Sequence, residues 1–360
     1  MKLKLLLLLI SLLLIIENAF AKETHITDYG TYSYHGNAYY TYSTSDKIGY
    51  DERWEVSLGG SADYGDVILS AKISTSEYSN YLRRAAIMFP FSIANSNITL
   101  GFGRVTNATG LFNTAVGTPS SNGLSSLPVS VYDVSQLEIN TNILDGGFIK
   151  IDSGFEDFST ELEFYMGQPI LDRKHLDIYD INNSGSTLSF NLEGNVSYIA
   201  QGKLRFSDFE VFLKYNRTIM DVVKTKFNKI EILKGTDDIA FTEYVLGGKY
   251  NINKNLVILA EVSSIDYDAQ DHNFYGGHIL ARYAINEYFE PFIGYSRGRS
   301  DGVVNFRSKT EDIYGGLVMN YDNFNLLLEY HYADTGTFKY KDYSTLNGES
   351  IFLTSITFNF

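Results

Sequence analysis

The 360-residue sequence predicts an all-β fold, a transmembrane antiparallel β-barrel of about 16 strands behind a cleaved secretory leader. Three observations predict it. Many short segments alternate apolar and polar residues, with charge confined almost wholly to one parity. The connections between those segments alternate short and long. The chain ends on a strand with phenylalanine at 358 and 360.

The first element is the leader. Lys2 and Lys4 give a basic start, Leu5 to Ile16 is an apolar run of about a dozen residues, and Ala19-Phe20-Ala21 is a small-x-small site. The run is shorter than the roughly 20 residues a membrane helix needs, and no basic stop-transfer flank follows it. Residues 1–21 are therefore expected to be a removable signal peptide, and 22–360 a single barrel domain.

The remaining chain has no second apolar run long enough for a membrane helix and almost no helical periodicity. Aromatics make up 15 %, with 28 Tyr and 24 Phe, which suits the girdles of a membrane barrel better than the core of a soluble sandwich. There is no Cys, although export leads to an oxidising compartment. A closed barrel has no free edges and does not depend on disulfides. Loss of Lys2, Lys4 and Glu17 takes the formal charge from −14 to −15. Such an acidic chain, without any basic run, repels phosphates and is excluded as a nucleic-acid binder.

The strands follow in order. Trp54, Val56 and Leu58 oppose Arg53, Glu55 and Ser57; Val67, Leu69, Ala71 and Ile73 oppose Ser70, Lys72 and Ser74. Phe209, Val211, Leu213 and Tyr215 oppose Glu210, Lys214 and Asn216, and Leu256, Ile258, Ala260 and Val262 oppose Glu261 and Ser263. Tyr275, Ile279, Ala281 and Tyr283 oppose His278 and Arg282, while Phe324 to Tyr332 alternates with Asn325, Glu329 and His331. Segments fit from 31–42 and 51–62 through to 324–333 and 350–360; the least regular is 130–152. Short connections lie near 62–65, 93–96, 153–156, 207, 251–254, 285–287 and 321–323. Longer ones lie near 43–50, 77–80, 106–129, 168–186, 218–239, 267–272, 298–310 and 334–349, with 77–80 and 267–272 the shortest of them. The stretch 222–234 could hold a further strand pair, so 14 or 18 strands also fit.

Two segments resemble known families. Ser355-Ile356-Thr357-Phe358-Asn359-Phe360 is similar to the C-terminal assembly signal of outer-membrane barrels, which implies barrel-assembly machinery as a partner, with Phe358 and Phe360 as the recognised residues. Leu100-Gly101-Phe102-Gly103-Arg104-Val105, Gly110-Leu111-Phe112-Asn113 and Leu127-Pro128-Val129-Ser130-Val131-Tyr132 together resemble a recurring pattern of the Gram-negative porins, loosely over Tyr29 to Lys150. That resemblance implies a homotrimer in outer-membrane lipid, passing small hydrophilic solutes or ions, with the third outer connection folded inward.

By count, 106–129 is that third connection, and Val105 to Ser130 carries no charge at all. It is the expected constriction, with Asn107, Phe112 and Asn113 as candidate residues. Constriction loops of general porins usually carry carboxylates, and this one has none. Wall candidates are Arg53, Glu55, Lys72, Arg84 and Arg104. A neutral loop opposite basic residues would favour anions locally. Arg104 shares parity with Leu100 and Phe102, so it points inward only if a bulge near Gly103 flips it; Arg83 poses the same problem beside Arg84.

Chemistry is not signalled. The six His are scattered, no metal-ligand spacing occurs, and Gly101-Phe102-Gly103 lacks the helix of a nucleotide site. No cofactor and no enzymatic activity are expected. The competing readings are a non-transporting surface barrel, such as an adhesin with a plugged lumen, motivated by the Tyr- and Asp-rich connections 298–310 and 334–349, and, less favoured, an outer-membrane hydrolase.

Overall fold

The structure is a computed structural model. It describes residues 24–27, 30–45, 49–76, 80–107, 143–171, 175–179, 187–227, 230–268, 272–301, 308–336 and 346–359. The expected leader, 1–21, lies outside the described residues. The strands, in chain order, begin with β1 (Thr24–Thr27), β2 (Gly30–Ser45), β3 (Gly49–Asp63), β4 (Ile68–Ser76), β5 (Asn80–Ile93) and β6 (Ser96–Thr106). They continue with β7 (Ile143–Gly154), β8 (Ser159–Pro169), β9 (His175–Tyr179), β10 (Thr187–Arg205), β11 (Phe209–Phe227) and β12 (Ile230–Asn251). The last six are β13 (Leu256–Tyr267), β14 (His272–Tyr283), β15 (Phe289–Asp301), β16 (Ser308–Tyr321), β17 (Phe324–Gly336) and β18 (Leu346–Asn359).

Sixteen of these form a closed wall. β2 to β8 pair in sequence, β8 pairs with β10, β10 to β18 pair in sequence, and β18 returns to β2 with Ile351 opposite Ser45 and Asn359 opposite Asn37. All pairs are antiparallel. The two remaining strands are short extensions. β1 lies along the start of β2, and β9 takes over from β8 beside the start of β10. Closure satisfies every edge, the condition for crossing a bilayer with strands.

One end of the wall carries seven short turns among the described residues, at 64–67, 94–95, 155–158, 206–208, 252–255, 284–288 and 322–323, as the sequence predicts. Local chemistry makes them. Asn253 Oδ1 accepts from the backbone N–H of Asn255 and Leu256, and Asn286 Oδ1 accepts in the same way from Tyr288 and Phe289. The two-residue turns place Ala94 and Asp322 at φ 52° and 48°.

One expectation needs correction. The stretch 218–239 is not a loop, because β11 and β12 pair from Phe209 opposite Tyr250 out to Phe227 opposite Ile230. Alternation continues through Thr218, Met220 and Val222, and two register shifts, at Val222/Lys224 and Thr225/Lys226, absorb the irregular residues that made the segment look like a loop. Of the segment 130–152, residues 143–152 are strand, within β7, and residues 130–142 lie outside those described.

The wall is inverted relative to a soluble protein. One parity carries exposed apolar side chains: Phe102 is 57 % exposed, Leu213 60 % and Ile293 63 %. The other parity holds buried polar and charged groups such as Ser57, Lys72, Ser197, Lys214, Glu243, Glu261 and Glu329. Apolar outside and polar inside is the pattern of a membrane barrel. The inward face is not uniformly polar. Leu259, Leu280, Phe292, Tyr314, Val318 and Leu327 form one inward apolar patch, and Val105, Leu144, Phe148, Tyr165 and Ile199 form another. Aromatic rings lie flat on glycines there. A Cβ at Gly101 would sit 2.0 Å from Phe148 Cε1, and one at Gly294 would sit 2.2 Å from Tyr314 Cζ.

Candidate functional site

The inward wall is the candidate site, and its charges come from alternation plus one bulge. β4 pairs with β5 as Lys72 opposite Arg84, then Ile73 opposite Leu82, so Arg83 is the extra residue. A bulge lets two consecutive side chains face the same way. Arg83 turns inward, donating from Nη2 to both carboxylate oxygens of Glu55 at 2.7 Å and from Nε to Ser74 Oγ at 2.8 Å. Ser57 Oγ donates to Glu55 as well. Arg84 and Lys72 remain side by side, with no carboxylate at ion-pair distance among the described residues. The bulge therefore resolves the clash of parity at 83 and 84 by turning both arginines inward.

A second group spans β7 to β11. Glu161 receives Lys150 at 2.9 Å, Lys203 at 3.3 Å and Arg205 at 3.3 Å, and Arg205 reaches on to Glu210 at 2.9 Å. Glu163 accepts from Tyr165 Oη and Gln201 Nε2 and lies 3.3 Å from Lys150. Strand register creates this ladder, because Glu163 opposes both Lys150 and Gln201, and Glu161 opposes Lys203.

Further round, Lys214 and Glu243 form an ion pair at 2.9 Å with side chains 0 % and 2 % exposed. On β13 to β17 the inward row holds Glu261 with His278 at 3.7 Å and Asp312 with His331 at 2.8 Å, and the Tyr314 ring stacks on His331. Arg282 pairs with Glu290. The result is a belt of charged and hydrogen-bonding groups on the inward face, many of them ion-paired, with net basic character at the β4–β5 wall.

The sequence-predicted residues separate as follows. Glu55, Lys72 and Arg84 belong to the inward β3–β5 group. Arg53 sits on β3 opposite Thr41. Arg104 does not join them. Gly103 has φ 119°, but the register runs unbroken, with Phe102 opposite Gly147 and Arg104 opposite Asp145, so Arg104 keeps the outward parity. There its guanidinium holds the Asp145 carboxylate through two bonds of 2.7 Å. Asn107 is inward, 1 % exposed, and its amide has no hydrogen-bond partner among the described residues. Phe112 and Asn113 lie outside the described residues, as does Phe360. Phe358 packs outside the wall against Ala38, Val56 and Phe324. The Lys150–Glu161–Glu163–Lys203–Arg205 ladder was not singled out from sequence, and Arg83 was raised there only for its parity beside Arg84. The two-residue spacings 161/163 and 203/205 are a signal that could have found the ladder.

No protein-family model matches the chain, and no curated protein sequence does. Solved structures do match. OmpT, an outer membrane protein of Vibrio cholerae, superposes with TM-score 0.62 at 11 % identity, covering 94 % of this chain and 100 % of that one. OmpF of Salmonella typhi, in complex with daunomycin, gives 0.60 at 13 % identity over 94 % and 100 %. An anion-selective porin from Comamonas acidovorans gives 0.59 at 14 % identity over 92 % and 100 %. With sixteen closed strands, an apolar exterior and a charged interior, the chain has the barrel fold of these outer-membrane proteins.

Proposed function

We propose that this barrel lets small hydrophilic solutes or ions cross the outer membrane passively, through a water-filled lumen narrowed by the connection between β6 and β7. The observation that carries this reading is the belt of inward charges. A barrel needing only a filler could line its interior with apolar side chains at lower desolvation cost, whereas a wetted path uses charged rings to select what passes. The Lys72–Arg84 wall, with Arg83 beside it, supports a local preference for anions. Membership of a homotrimer and recognition by assembly machinery through Phe358 and Phe360 belong to the same proposal, as does export by a leader at 1–21. Liposomes holding the folded protein should swell in small sugars and fail to swell as sugar size grows. Equal rates with and without protein would overturn the reading.

A second reading has its own observation. Several inward side chains are fully shielded, Leu280 and Lys214 among them, which suits a closed lumen and a surface role without transport. The same swelling measurement separates the two.

A further inference from the structure

The inward bases of β4 and β5 outnumber the acids that reach them. Lys72 of β4 stands opposite Arg84 of β5, and the bulge brings Arg83 in beside them. Opposed residues of neighbouring strands hold their Cβ atoms about 4.5–5.5 Å apart, and like charges so placed repel. Glu55 is the carboxylate of this group, and it is already engaged. Both its oxygens accept from Arg83 at 2.7 Å, and it also accepts from Ser57 Oγ at 2.9 Å and Tyr39 Oη at 3.5 Å.

Carboxylates of the flanking strands are committed as well. Asp63 accepts from the Gly65 N–H of its own turn. Asp145 faces outward on Arg104. Glu161 receives Lys150, Lys203 and Arg205, and Glu163 accepts from Tyr165 Oη and Gln201 beside Lys150. Lys72, Arg83 and Arg84 thus share Glu55, and the surplus positive charge falls on the Lys72–Arg84 pair. That pair is set into the wall. Lys72 is 8 % exposed, and Arg84 Nε is shielded without an acceptor among the described residues. Arg84 Nη2 reaches Met88 Sδ at 3.4 Å, and a thioether is only a weak acceptor. Two residues before Lys72 on the same face, half-buried Ser70 lies between Ser61 and Ala86 in register and adds a hydroxyl.

We propose that Lys72 and Arg84 form a saturable subsite for a doubly charged phosphate group, free or carried by a small phosphate monoester, with Ser70 as a hydroxyl partner. Two cations match the charge of a dianion. The guanidinium fork takes two of its oxygens and the ammonium a third. A carboxylate offers one charge and two oxygens, and leaves one cation uncompensated. The inference rests on the water-filled lumen proposed above and deepens it: the β4–β5 wall holds a particular anion, beyond biasing the passage of all anions.

The test uses the full folded chain in planar bilayers in potassium chloride, in mildly alkaline buffer where phosphate is a dianion, with phosphate added at constant ionic strength. Inorganic phosphate should lower the chloride conductance along a saturating curve. A hydrogen bond to a charged group is worth about tenfold in affinity. The half-blocking concentration should therefore rise about tenfold in K72Q or R84Q and about 100-fold in K72Q/R84Q. K72R/R84K keeps both charges and should stay within about tenfold of wild type, which separates loss of charge from loss of fold. R104Q, on the outward face, should match wild type. Tighter block by glycerol 3-phosphate than by inorganic phosphate assigns the site to esters, and equal or weaker block assigns it to free phosphate. Equal block by acetate overturns the dianion. A non-saturating decline, or unchanged block in K72Q/R84Q, overturns the site. Absence of chloride steps counts against the diffusion reading, and equilibrium dialysis of radiolabelled phosphate then decides the subsite on its own. Retention that K72Q/R84Q loses upholds it, and no retention by wild type overturns it.

Discussion

Lys214 and Glu243 show what single residues do on the inner wall. Both side chains are shielded from water, and each is the other's counter-charge at 2.9 Å, with Asn216 donating to Glu243 at 3.3 Å. Removing one partner strands a buried charge, which costs about 3–5 kcal/mol, whereas replacing both by apolar groups of similar size is close to neutral. Glu243→Gln should therefore lower unfolding stability in urea by about that amount, and a Lys214→Met/Glu243→Met pair should recover most of it. Lys72 and Arg84 invite a different measurement. They contribute charge to the lumen without a carboxylate at ion-pair distance among the described residues, so Lys72→Gln with Arg84→Gln should move the reversal potential in asymmetric salt toward cations. No shift would show that the wall away from β4–β5 sets ion preference. Arg104, by contrast, is outward and clamped by Asp145, so Arg104→Gln should leave the reversal potential where it is.

Elements were legible where alternation was regular. β13 to β18 begin and end within a few residues of their predicted bounds, because turns such as Asn253–Asn255 and Asn286–Tyr288 encode their own geometry. What was hidden depended on pairing partners. The bulge at Arg83 exists only against the register of β4, and the continuation of β11 to Phe227 only against β12. Gly103 belongs to the same class. Its φ of 119° favours glycine, and a Cβ there would stand 2.3 Å from the Ala85 carbonyl oxygen. Gly103→Ala should destabilise the β5–β6 pair by at least about 1–3 kcal/mol, visible as a lower urea midpoint at unchanged m. The outward face gives an independent check. Leu213 lies on the outward row of β11 and is 60 % exposed; Leu213→Arg should cost about 2–4 kcal/mol if that position is near the bilayer midplane. A cost near zero would place that row outside the apolar band.

At the scale of the whole molecule, closure turns sixteen marginal strands into one wall, with β18 sealed onto β2 by nine residue pairs. Strand number, turn polarity and the inverted distribution of apolar and charged residues were readable from period-two patterning, since each strand must present one face to lipid and one to the lumen. The inward apolar patches were not readable, because Leu259, Leu280 and Leu327 break the alternation and meet only after the barrel closes. The uncharged connection after β6 remains the segment through which the proposal acts, while the belt from Glu55 round to His331 supplies the field that a passing ion would feel. Single-channel recording of the folded protein in planar bilayers tests the proposed diffusion function most directly. Reproducible stepwise conductance, with anions favoured in wild type, is the expected result. A folded, heat-modifiable preparation that inserts but gives no steps would contradict it.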